Sequence, residues 1–78
     1  MIDPKLNEIF REVFSRPELA VTENTTAADI KEWDSFNHIN LVMRVEEEFG
    51  ISFGTKEIGQ LANVGDLQAA IRRKTKAS

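Results

Sequence analysis

The chain has 78 residues and a mass of 8.8 kDa, which is room for one small core and leaves no space for a second domain or a large catalytic cleft. It contains no Cys, so a thiol nucleophile, a disulfide framework and a cysteine metal site are excluded. The net charge of -3 is unevenly placed: residues 72–78 hold Arg72, Arg73, Lys74 and Lys76 and no acid, which leaves -7 on residues 1–71 against +4 on the tail.

Hydrophobic residues at 41%, charged residues at 29%, 4 Gly and 2 Pro make a folded, mostly helical domain the expectation rather than a disordered chain. An acidic body disfavours nucleic acid, which needs clustered basic side chains, and favours protein partners with basic patches. No apolar run approaches the roughly 18 residues that span a bilayer, so membrane insertion is not expected. The N-terminal MIDPKLNEIF lacks the basic-then-apolar order of a signal peptide. A cytoplasmic monomer is the expectation.

Ile2, Leu6, Ile9, Phe10, Val13 and Phe14 recur with the spacing of one buried helical stripe. Asp3 is the candidate N-cap, Pro4 suits the first helical position, and the helix is expected to end near Ser15, before Arg16-Pro17. Residues 16–34 show no sustained period and predict a long loop with one helical turn around Ala27 to Lys31. A second helix is predicted from about Ser35 to Phe49, with Asp34 as N-cap and Gly50 as its stop. Ile51-Ser52-Phe53-Gly54 follows as an extended connector whose two apolar side chains plug the core. Thr55 is expected to cap a short third helix through Lys56 to Leu61. Asn63 with Asp66 three residues later has the spacing of a capping box, opening a last helix that buries Val64, Leu67, Ala70 and Ile71. The fold class is all-α: a small four-helix bundle, three helices substantial and one short, in a single domain over 1–78 whose basic tail, 72–78, is expected to fray.

A helical wheel of residues 35–49 separates two apolar stripes. With Leu41 at zero, Val45, Phe49 and Val42 fall at roughly 40°, 80° and 100°, a core-facing stripe, whereas Ile39, Met43 and Phe36 fall at roughly 160°, 200° and 220°. Glu46 and Glu47 flank this second stripe. Either the 16–34 loop covers it or it stays exposed as a docking surface ringed by acids. Ser35 begins the helix, where unpaired backbone N–H groups favour an anion such as a phosphodiester on its hydroxyl; a plain Asp34-Ser35 cap is the alternative.

His38 shares a helix face with Ser35, but the wheel puts it near 60°, on the core side, which favours a core-edge histidine over a catalytic pair. One His is too few for a metal site, and Asp34-Ser35-Phe36-Asn37 lacks the alternating acids and the Gly of a calcium loop. Trp33 is expected to pack the loop, folded against the second stripe.

Trp33 to Phe53, W-D-S-F-N-H-I-N-L-V-M-R-V-E-E-E-F-G-I-S-F, resembles the second helix and following loop of acyl carrier proteins, and Asn63-Val64-Gly65-Asp66-Leu67 is similar to the opening of their last helix. The resemblance spans roughly residues 3–74 in element order. It implies a four-helix carrier fold with Ser35 as the site at which a phosphopantetheinyl transferase attaches 4'-phosphopantetheine from coenzyme A. It further implies that Asp34 is the motif acid, that the arm's thiol carries acyl groups as thioesters, and that Phe36, Ile39 and Met43 face partners with Glu46 and Glu47 as an acidic rim. Acyl ligases, synthases or transferases are the implied partners, and the chain itself is not an enzyme. Phe36 departs from the commoner Leu, and Asn37, Asn40 and Arg44 make the surface less acidic than that of a general fatty-acid carrier. That departure points to a specialised lipid, polyketide or related pathway. An aminoacyl or peptidyl carrier, and a helical interaction module without a prosthetic group, remain as alternatives.

Overall fold

A computed structural model describes residues 2–77, which form four helices: α1 (Pro4–Val13), α2 (Ser35–Phe49), α3 (Thr55–Gly59) and α4 (Val64–Ala77). The expected all-α bundle of three substantial helices and one short one is what folds. Asp3 caps α1 by accepting from Lys5 N at 2.8 Å, with Pro4 at the first helical position. Asp34 caps α2 by accepting from Asn37 N at 2.8 Å, and Gly50 ends it at φ 66°, in the left-handed region where a side chain would be strained. Lys5 also serves α2, its Nζ donating to Glu48 O at 3.0 Å where the last-turn carbonyls lack partners within the helix.

Leu6, Ile9 and Phe10 from the first helix and Phe14 at its C-cap meet Leu41, Val42 and Val45 from the second and Val64, Leu67, Ala70 and Ile71 from the last in one core. Phe53 of the connector joins it, with Ile51 packed alongside. The loop between α1 and α2 adds Val21, Ile30 and Trp33. Such burial, at about 25 cal/mol per Å² of apolar surface, is the main force holding so small a bundle.

Four expectations need correction. The loop has no helical turn over Ala27 to Lys31; Thr26 and Asp29 close one turn through Asp29 N to Thr26 O (3.0 Å), and Ile30 and Trp33 close another (3.0 Å). Thr55 is not a cap. Gly54 holds that position, its N–H donating to Glu57 Oε1 at 2.9 Å, and α3 ends at Gly59, short of Leu61. Trp33 does not lie on the second stripe; it sits in the core against Phe10 and Phe14, at ring centroid distances of 5.4 and 6.0 Å. Finally, residues 72–77, expected as a frayed tail, are placed in helix and continue α4. Lys and Arg are good helix formers and are favoured beside the negative end of the helix dipole. Lys74 is held there by Glu57 at 3.0 Å and lies 5.2 Å from the Phe53 ring centroid. Ser78 lies outside the described residues.

Candidate functional site

Ser35 is the first residue of α2 and is exposed, and no described residue hydrogen-bonds to its hydroxyl. Asp34 beside it spends one carboxylate oxygen on Asn37 N, and its carbonyl accepts from His38 N at 2.8 Å. The cap thus fixes the register of the first turn and leaves the serine oxygen outside it. The positive end of the helix dipole lies at this oxygen, favouring negative charge there. Ser35 borders a groove of about 540 Å³, open to solvent, whose walls are Asp34, His38 and Ile39 from α2, Ala27 and Trp33 from the loop, and Leu61 and Ala62 after α3.

The second stripe of α2 is uncovered. Phe36, Ile39 and Met43 are 75%, 47% and 59% exposed, while Leu41 and Val45 on the opposite face are fully buried. The 16–34 loop therefore does not close over the stripe, because its own apolar residues are committed to the core. Three exposed large apolar side chains on one helix face are a patch of the kind that marks contact with another molecule.

The two acids expected to rim the stripe differ. Glu47 is exposed and no described residue bonds to it. Glu46 is half-buried, and its Oε2 accepts from Phe53 N at 2.7 Å, tying the end of α2 to the connector. On the other edge, Asn37 Nδ2 donates to Glu32 O at 2.7 Å, and Asn40 Nδ2 donates to Asn37 Oδ1 at 3.3 Å. Arg44 is no free cation: its Nη2 lies 2.8 Å from Glu12 Oε1 on α1 and 3.7 Å from Glu48 Oε1.

His38 lies on the core side, as its wheel angle requires, but between two partners that no local spacing signals: Trp33 Nε1 donates to its Nδ1 at 2.9 Å, and its Nε2 lies 3.0 Å from Ile58 O. Both ring nitrogens are thus occupied without Ser35. Among the described residues no cluster of three His, Asp or Glu could hold a metal ion, and no helix is long and apolar enough to cross a membrane.

No family model matches the chain. It is 31% identical over 70 residues to the acyl carrier protein of Thermotoga maritima, covering 90% of this chain and 86% of that one. To the acyl carrier protein of Thermosynechococcus vestitus it is 36% identical over 61 residues, covering 78% and 74%. Its fold matches the solution NMR structure of holo acyl carrier protein from Geobacter metallireducens with a TM-score of 0.88 at 38% identity, over 94% of this chain and 84% of that chain. With sequence and fold agreeing over nearly the whole length, the chain belongs to the acyl carrier protein family.

Proposed function

We propose that this protein is a cytoplasmic acyl carrier whose Ser35 bears 4'-phosphopantetheine and whose exposed α2 stripe docks the enzymes that load and use it. The observation that carries this reading is the coincidence on one helix of an exposed, unbonded serine hydroxyl at the N-terminus and an uncovered apolar stripe running away from it. The residues fit a phosphodiester. Its negative charge would sit at the positive helix end, and the neighbouring Asp34 carboxylate is turned back onto Asn37 N, which lessens repulsion. The group supplies a terminal thiol that holds acyl cargo as a thioester, chemistry for which this chain has no sulfhydryl of its own. The polypeptide contributes the attachment oxygen, a groove beside it and a recognition surface; it is a carrier and not a catalyst.

In this reading Phe36, Ile39 and Met43 supply the apolar contact, Glu47 gives a free negative charge for a basic partner, and Glu46 is shared between docking and the α2–connector joint. A phosphopantetheinyl transferase is the first partner, and an acyl ligase, synthase or transferase the later ones. Asn37 and Asn40 are neutral, and the Arg44 charge is balanced by Glu12 and Glu48, so the far edge of the stripe offers neither strong attraction nor repulsion. Partners chosen by shape more than by charge fit such an edge, which supports a specialised lipid, polyketide or related pathway over general fatty acid synthesis.

Coexpression with a broad-specificity phosphopantetheinyl transferase, followed by intact mass measurement, tests the reading. One phosphopantetheine should be added, and none in Ser35→Ala. An unaltered mass, or labelling that persists in that variant, would overturn it in favour of an adaptor without a prosthetic group or of another attachment residue.

A further inference from the structure

Trp33 and His38 are the sole Trp and the sole His in the chain, and they are bonded to each other. The indole Nε1–H donates to His38 Nδ1 at 2.9 Å, and the ring planes lie within 22° of parallel. An indole nitrogen can only donate, so Nδ1 must be an unprotonated acceptor. Nε2 lies 3.0 Å from Ile58 O on α3. A carbonyl can only accept, so Nε2 carries the proton. The two partners together select one species, the neutral Nε2–H imidazole. A second proton, placed on Nδ1, would set one N–H against another.

The ring thereby joins three parts of the molecule. Trp33 is anchored in the core against Phe10 and Phe14; His38 belongs to α2, one turn past Ser35; Ile58 belongs to α3, none of whose five residues is buried. The other side-chain ties of α3 run the opposite way, from Glu57 to Arg73 and Lys74 on α4. Among the described residues His38 thus supplies the side-chain hydrogen bond from α2 to α3, and it lines the same groove as Ser35. We propose that neutral His38 is a positioning residue that latches α3 to α2 and narrows the groove beside Ser35, and that protonation of His38 releases both Trp33 and α3.

Few titratable groups face the ring, and each already has a partner or lies in solvent. On α2, Asp34 shares the groove, with its carboxylate accepting from Asn37 N. The loop brings Trp33 and Ala27, and the segment after α3 brings Leu61 and Ala62, none of which titrates. On α3 itself, Glu57 is held by Gly54 N and Lys74, and Lys56 is exposed. The latch stands on hydrogen-bond geometry and does not depend on Ser35 carrying any group. Its effect on a carried chain rests on the carrier reading, so the test is read on the bare protein.

The test is an NMR titration of the ¹⁵N-labelled protein from about pH 8 to about pH 5, following the Trp33 indole N–H and the amides of Ile58 to Leu61. The expected result is one common midpoint for the indole and the α3 amides, with the protection of the indole proton, after division by the pH-dependent intrinsic exchange rate, about tenfold lower at the acid end. His38→Gln, whose amide can accept from Trp33 and donate to Ile58 but takes no proton, should keep the neutral-pH spectrum and lose the titration. α3 amides that stay fixed while the indole shifts, or that shift equally in His38→Gln, would overturn the proposal. If His38→Gln does not fold, the unaltered protein decides: a shared midpoint supports the latch and separate behaviour refutes it.

Discussion

Glu46 and Glu47 are adjacent acids that a surface argument treats alike, and the structure separates them. Glu46→Ala would leave the N–H of Phe53, a residue only 8% exposed, without its 2.7 Å acceptor. An unsatisfied donor in a half-buried setting costs about 1–2 kcal/mol, part of the full penalty because water can reach the site. In a domain of this size that corresponds to a fall in Tm of about 5–15 °C. Glu47→Ala, exposed and unbonded, should stay within about 0.5 kcal/mol. Glu46→Gln keeps an acceptor near Phe53 N while removing the charge, so it should recover most of the stability. Urea unfolding followed by circular dichroism at 222 nm, with unchanged m-values, measures all three. Equal stabilities for Glu46→Ala and Glu47→Ala would refute the structural role of Glu46. Transferase loading rates for Glu46→Gln and Glu47→Gln then report docking free of any folding defect.

Two further outcomes follow from burial and titration. Leu41→Ala removes a fully buried side chain of α2 and should cost about 2–5 kcal/mol. Met43→Ala, two residues on, should cost about 0.5 kcal/mol or less by the same unfolding assay, and a comparable loss would show that the stripe is packed. Glu57 is held below its ordinary value of 4.5 by the Gly54 N–H and then by Lys74. A carboxylate depressed in the folded state contributes stability that is present above that ordinary value and lost as pH falls through the folded one. Hydrogen-exchange protection of the α3 amides, corrected for intrinsic rates, should therefore weaken as pH falls from that ordinary value, and Glu57→Gln should flatten that dependence; an unchanged acid slope in the variant would remove Glu57 as its cause.

The helix bounds were legible wherever a cap and a stop residue bracket a periodic run, as Asp34 and Gly50 bracket α2. The second stripe was legible as an excess of apolar positions, but its exposure was not, because that depended on where Val21, Ile30 and Trp33 of the loop would go. A loop residue has no period to orient it, so Trp33 could be set on the wrong side. The basic tail was misjudged by weighing charge against order, when cations in a last turn are what a helix C-terminus favours. The Glu46–Phe53, Arg44–Glu12 and His38–Ile58 contacts join residues 7, 32 and 20 positions apart. Only the folded chain brings them together. Asp34 and Ser35, by contrast, make a local cap, and local spacing was enough to find them.

Two backbone amides at the start of α4 donate into the 16–34 loop: Val64 N to Thr25 O and Gly65 N to Glu23 O, both at 2.9 Å. A Cβ at position 65 would lie 2.9 Å from that same Glu23 oxygen, so the approach depends on glycine. The loop thus completes the hydrogen bonding of a helix some forty residues away in the chain, and the two cannot part without stranding donors of α4 and acceptors of the loop. Loop and α4 form one cooperative unit, a rigid frame, while α3, with no buried residue, can loosen without melting it. If the carrier reading holds, a protein that shows the same face to several enzymes in turn while one wall of its groove gives way has its stiffness and its compliance assigned to different stretches of chain.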